Sequence, residues 1–244
     1  MRVLTFTIRN SKEMIREPLN LALGIGFPLV VLVLLSVIQA NIPVDLFVIE
    51  RLIPGIAVFG LSFIATFSGT LIAADRGTSF LLRLFTTPLT AYNYIMGYTL
   101  PLLPMAILQI IISFIAAFFL VLTLNLNVLL SILILIPAAV VFIGFGLLAG
   151  SLFNEKMVGN VCGAVLTNLT VWLSGAWFAL DLVGGWFEKL AYSLPFAHAV
   201  DASRAAIVGD YSAIMPHLWW VIGYAVVTML IAIVVFKKKM TSDQ

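Results

Sequence analysis

Six times along this chain an apolar run recurs that is long enough to cross a lipid bilayer, with mostly short polar connections between the runs. The first, from Leu19 to Ala40, contains no charged residue at all. About 20 apolar residues span the ~30 Å hydrocarbon layer as a helix, and only structures that satisfy their own backbone hydrogen bonds survive there. The runs at about 19–39, 52–74, 95–122, 129–153, 158–180 and 217–236 therefore predict six transmembrane helices, the third carrying Pro101 and Pro104. Only 10% of the 244 residues are charged, too few to cover a water-facing surface. The expectation is an all-α integral membrane protein forming one domain over 1–244, with no room for a soluble catalytic domain. The first run is too long for the core of a cleavable signal and is read as a retained span.

The basic residues orient it. With the N-terminus inside, Arg2, Arg9, Lys12, Arg16, Arg76, Arg83, Lys156, Lys237, Lys238 and Lys239 are cytoplasmic, ten of the 13 Lys and Arg. Cytoplasmic segments carry such an excess, so both termini are expected in the cytoplasm of a multi-pass inner-membrane protein. The external segments are net acidic, with Asp45, Glu50, Asp181, Glu188, Asp201 and Asp210.

Three segments are not spans. Over 1–18, Leu4, Ile8, Ile15 and Leu19 share one helical face and Arg9, Lys12 and Arg16 another, as in an amphipathic helix on a membrane surface. The polar connection 75–94 carries Phe80, Leu81, Leu84 and Phe85 at helical spacing, which suits a short helix docking on a partner. The long segment 181–216 mixes Trp186, Phe187, Leu190 and Tyr192 with scattered charges, as a re-entrant or interfacial helical hairpin on the outer side would. Gly146/Gly150 and Gly159/Gly163 are small-residue pairs at four-residue spacing. They fit a dimer face or packing within one chain.

Much chemistry is missing from the sequence. No glycine is followed by lysine, so there is no phosphate-binding loop of the usual kind. Two histidines, His198 and His217, and one cysteine, Cys162, make no metal-ligand pattern and no redox pair. No charge lies near the middle of a span, where ion-coupled carriers keep one. A membrane enzyme and a carrier driven by an ion gradient are both disfavoured, and the energy source is expected on another polypeptide.

The run ADRGTSFLLRLFTTPLTAYNYIMGYTL, starting at Ala74, resembles the cytoplasmic loop of type-2 ABC exporter permeases. The matching elements are Asp75, Arg76, Gly77, Thr78, Leu81, Leu84, Thr87, Pro88, Leu89 and Gly97. Many members have a basic residue after the loop's final glycine, where this chain has Tyr98, and the acidic opening is shortened by Ala74. LPFAHAVDASRAAIVGD resembles the family's external segment through Pro195, Asp201, Arg204 and Gly209. The resemblance runs over the whole chain. It implies a permease subunit that binds no cofactor itself and pairs with a second copy or a paralogue. Two ABC ATPase subunits would hold the ATP and Mg and act through the loop helix. Nucleic acid is not an expected partner, and membrane lipid is. The alternatives are a non-transporting membrane partner, such as an immunity protein, or a membrane enzyme.

On that resemblance the coupling residues are Asp75, Arg76, Gly77, Thr78, Phe80, Leu81, Leu84, Thr87, Pro88 and Leu89. The residues themselves suggest a pathway. Phe59, Phe63 and Phe67 form an i, i+4, i+8 stripe with Thr66 beside it, and the fifth run offers Thr167, Asn168, Trp172 and Trp177. An aromatic wall with a few polar points suits an amphiphilic or apolar substrate, although such a stripe also fits the core or a lipid-facing surface. Asp201 and Arg204, at i, i+3, could hold the outer hairpin or form a solvated surface pair.

Overall fold

The computed structural model describes residues 2–16, 18–78 and 90–242, and these are helical with no strand among them. In chain order α1 is Arg2–Ile15, α2 Pro18–Asn41, α3 Ile49–Gly77, α4 Ala91–Phe119 and α5 Leu126–Leu152. A continuous but uneven helical segment follows: α6 Glu155–Val158, a π-helical stretch Gly159–Leu166, and α7 Thr167–Leu173. A short 3₁₀ turn at Leu180–Leu182 leads to α8 Gly185–Ser193, α9 Pro195–Val208 and α10 Tyr211–Ser242.

Local chemistry explains the boundaries. Side-chain oxygens of Thr90, Asn125 and Asn154 accept the backbone N–H three residues on and so cap α4, α5 and α6. Pro195 opens α9, and Gly209 closes it in the left-handed conformation, φ 82°. Pro28, Pro54, Pro101, Pro104, Pro137 and Pro216 lie inside long helices, as apolar spans allow.

Five helices, α2, α3, α4, α5 and α10, are long and apolar enough to cross a membrane. Five of the six expected spans correspond to these helices. The segment expected as the fifth span is the exception. Its regular helix ends at Leu173, short of the expected 180, and its middle widens into the π form, where Thr167 donates its hydroxyl to the carbonyl of Cys162. Trp177 therefore lies in the turn beyond the helix.

The helices are not equivalent. The apolar window of α3 is 83% buried, against 28% for α2 and 22% for α10. So α3 is the hub, packed by α2, α4, α5, α9 and the π-helical stretch, while α2 and α10 face outward. The contact between α3 and α5 is backbone-close. A Cβ on Gly146 would collide with Ser68 and the carbonyl of Ala65, and one on Gly150 with Ile72 and the carbonyl of Gly69. This glycine pair thus serves packing within the chain. Around Gly159 there is open space, and at Gly163 a Cβ would make only ordinary contact with Thr66.

The segment expected as an outer hairpin is α8 and α9 joined at Leu194. Most of α9 is buried among α3, α5 and α10, and Ser131 and Ser203 share a hydrogen bond between α5 and α9.

Candidate functional site

Polar side chains gather at the two ends of the bundle. At one end α1 crosses α4. Its buried face is Phe6, Asn10 and Met14, while Leu4, Ile8 and Ile15 point outward. Phe6 meets the rings of Tyr94 and Tyr98 edge-on, filling the space above Gly97. Asn10 donates its amide to the carbonyl of Gly97 at 3.1 Å.

The carboxylate of Asp75 lies beneath, 5% exposed near the end of α3. Its Oδ2 accepts from Arg9 Nη1 at 2.5 Å and from the Tyr98 hydroxyl at 2.7 Å. Burial works against the charge on Arg9, yet the hydrogen bond and charge of Asp75 outweigh it and raise the Arg9 pKa. A buried carboxylate needs such partners. Here the cation comes from α1, while position 98, where a basic residue is common among the permeases this loop resembles, supplies a phenol.

Next to it, Arg76 Nη1 donates to the carbonyls of Gly150 at 2.8 Å and Phe153 at 3.4 Å, covering orphan acceptors at the C-terminus of α5. Thr78 donates its hydroxyl to the carbonyl of Asp75. Asp75, Arg76, Gly77 and Thr78 thus sit at the root of the 75–94 connection, which is tied to α1, α4 and α5. Phe80, Leu81, Leu84, Thr87, Pro88 and Leu89 lie outside the described residues.

The proposed pathway residues divide. Phe59 and Phe67 are buried in the bundle. Phe59 packs edge-on against Phe63 and Trp177 and meets Phe27 of α2 at a tilt. Thr66 spends its hydroxyl on the carbonyl of Ser62, and Thr167 is buried. By contrast Asn168 and Trp172, one helical turn apart, are exposed. The amide of Asn168 donates to the carbonyl of Ala164. The Nε1 donor of Trp177 is buried without a partner among the described residues.

At the far end α9 organises the contacts. Arg204 donates from Nε to the carbonyl of Arg51 and from Nη2 to that of Gly175, at 2.9 and 2.8 Å, and lies 3.5 Å from Asp201. It fastens α9 to the start of α3 and the end of α7, which a solvated surface pair would not do. The Tyr192 hydroxyl donates to Asp201 at 2.7 Å, and burial followed by this bond raises the tyrosine's pKa. Pro195 begins α9 and is buried.

The two histidines, 19 residues apart, meet beside it. Their Nδ1 atoms are 2.7 Å apart, and His198 Nε2 is 2.9 Å from the carbonyl of Tyr192. A carbonyl only accepts, so His198 carries its proton on Nε2 and its Nδ1 accepts from His217. The ring of His198 stacks on Trp220 at an interplanar angle of 4°. Sequence reasoning missed this pair, along with Arg9, Asn10 and Tyr98 at the other end and the buried Gln109 of α4. Gln109 had a visible signal, a lone amide in the middle of an apolar span; the others become a site only through long-range contacts.

Among the described residues no group of histidine, cysteine, aspartate and glutamate could hold a metal. No curated protein and no solved structure matches the chain. The description ABC-2 type transporter, by contrast, fits residues 1–208, across the Asp75 root and the Arg204 tie alike, so this multi-pass membrane protein belongs to the ABC-2 type transporter family.

Proposed function

We propose that the chain is the permease subunit of an ATP-driven exporter, working as a dimer with a second copy or a paralogue and with two ABC ATPase subunits that hold ATP and Mg. In this reading the segment Glu155–Leu173 is a sixth span, α1 lies on the cytoplasmic surface of the inner membrane, and both termini are cytoplasmic. The turn at Val44–Phe47 and the α8–α9 hairpin are external, and the hairpin is re-entrant.

One observation carries the reading: the root of the 75–94 connection is joined to three helices at once. Arg9 and Tyr98 hold Asp75 from α1 and α4, and Arg76 holds the end of α5. A force on that loop is passed to the bundle through charged and capping contacts, as a coupling element requires. Biasing two permease conformations in this way is what ATP binding on a partner would do. The exposed side bearing Asn168 and Trp172 supports a dimer whose subunits enclose a pathway, since an amide facing lipid is costly. An amphiphilic or apolar substrate suits such a wall.

The test is reconstitution. The purified chain alone should hydrolyse no ATP. Adding the ATPase that co-purifies with it should give hydrolysis stimulated by transported compounds. ATP hydrolysis by the chain free of any partner would reject the proposal.

A further inference from the structure

A cavity of 640 Å³ opens at the Arg204 end of the bundle, between the α2–α3 connection, the turn after α7, and α9. Its size falls within the range of small-molecule sites, about 300–1,000 Å³. It lies within one chain, and no residue assigned to coupling lines it.

Its walls are aromatic and held in place. Phe47, Trp177 and Phe178 line it. Trp177 rests edge-on against Phe59, and Phe178 stacks on Phe187. The Phe47 side is fixed by Gln39, whose Oε1 accepts from the Phe47 N–H while its Nε2 donates to the carbonyl of Val44 at 2.9 Å. A wall already ordered loses little entropy when a ligand arrives.

Four charged residues border the cavity: Asp45, Glu50, Arg51 and Arg204. Arg204 is already matched by Asp201 and two carbonyls. Among the described residues neither Asp45 nor Glu50 has an ion pair, and one guanidinium, that of Arg51, stands against these two carboxylates. The balance left to a ligand is one negative charge beside three aromatic rings. Glu50 is half-buried, so its charge is less screened than that of the exposed Asp45. Aromatic faces attract cations electrostatically, and apolar groups fill the remaining space.

We propose that this cavity binds a monovalent organic cation with bulky apolar arms, Glu50 supplying the counter-charge and Trp177 and Phe178 the ring faces. The cavity shares Trp177 with the expected pathway, but the inference does not depend on the export reading, because binding requires neither ATP nor a second subunit.

Two probes of the same size and shape but opposite charge test it: tetraphenylphosphonium and tetraphenylborate, measured by equilibrium dialysis against the full chain in an uncharged detergent. Saturable phosphonium binding is expected at about one site per chain, with the borate bound far more weakly. Glu50→Gln keeps the side-chain shape and should weaken phosphonium binding roughly five- to tenfold, as for a partly exposed charge contact aided by aromatic faces. Asp45→Asn, on the exposed rim and outside the packed core, should weaken it less and covers the case in which Glu50→Gln fails to fold. Trp177→Leu should weaken it further than Asp45→Asn. Equal binding of the two ions, uptake that never saturates, or a folded Glu50→Gln with unchanged phosphonium affinity would each overturn the proposal.

Discussion

Arg9 and Asp75, 66 positions apart, meet through a 2.5 Å charge-assisted hydrogen bond that ties α1 to the end of α3. Arg9 also reaches Glu13 and Asn10, so Asp75 is the partner that depends on the pair. Asp75 is 7% exposed in its side chain and Arg9 32%, so Arg9→Gln leaves a nearly buried carboxylate with Tyr98 as its remaining partner among the described residues. A fully buried pair broken this way costs about 3–5 kcal/mol, and the exposure of Arg9 brings the expectation to about 2 kcal/mol. Tyr98→Phe should cost about 1–2 kcal/mol. The double variant Arg9→Gln/Asp75→Asn, which strands no charge, should melt above Arg9→Gln alone. Thermal unfolding in detergent decides it, and a double variant no better than the single would show that the ion pair is not the contact that matters.

The glycine pairs make opposite predictions. Gly146→Ala drives a methyl into Ser68 and the backbone of α3, so the helices must part. Overpacking of this kind costs about 1–3 kcal/mol. Gly159→Ala meets open space, and the residue is already in the helical region at φ −55°. It should be neutral or slightly stabilising. Equal melting temperatures for the two variants would mean that α3 and α5 do not approach as closely as described.

These contacts also show what could be read from the sequence. The placement of five of the six expected spans was legible, because in lipid a span is set largely by length and hydropathy. The facing of α1 illustrates the limit. Leu4, Ile8 and Ile15 form its evident apolar face, yet they point outward, and the buried side holds Phe6, Asn10 and Met14. Beside a bilayer an apolar face has two possible hosts, protein and lipid, and periodicity does not distinguish them. The π-helical stretch was hidden because its composition matches that of an ordinary apolar helix. Arg204 read as half of a local pair because its carbonyl acceptors, at Arg51 and Gly175, have no side-chain signature. The root at Asp75–Thr78 was found through its resemblance to a loop; Arg9 and Tyr98, which hold it, follow from packing.

The histidine pair predicts a pH dependence. Burial lowers the pKa of His198, with proximity to His217 acting in the same direction and the Tyr192 carbonyl and Asp201 opposing. The neutral ring is therefore favoured in the fold. The unfolded chain takes up its proton first, near the ordinary histidine value of about 6.5. This stability is complete above that value and is lost as pH falls through the window below it, down to the lowered folded pKa. A proton on His198 Nδ1 would also face the Nδ1–H that His217 donates across 2.7 Å. Melting temperature should drop between pH 7.5 and 5.5, and His198→Gln/His217→Gln should flatten the drop. Parallel curves for the two proteins would remove the histidines from the account.

Topology can be tested with the one native thiol in place, since Cys162 is 1% exposed and should react slowly. A cysteine at Asp45 or Glu188 should label from outside intact cells with an impermeant reagent, and one at Gln244 should not. Labelling of Gln244→Cys from outside would invert the proposed orientation.

The coupling proposal separates two jobs at neighbouring positions. Arg76 closes the end of α5, so Arg76→Ala should uncover carbonyl acceptors and lower stability by about 1 kcal/mol or more. That loss belongs to the permease and should appear without any ATPase present. Phe80 and Leu84, one helical turn apart in the sequence, are proposed to be buried only against the ATPase. Truncating both to alanine should leave the melting temperature of the isolated chain unchanged. In the complex it should remove up to roughly 1.5–3 kcal/mol for each fully buried side chain, enough to weaken ATPase co-purification tenfold or more and to abolish transport. A loop that merely packs on its own bundle predicts the reverse, a lower melting temperature for the isolated Phe80→Ala/Leu84→Ala chain. If that double variant melts like the parent and keeps full substrate-stimulated ATP turnover, the loop does not carry the coupling, and the ties at Asp75 and Arg76 serve the fold alone.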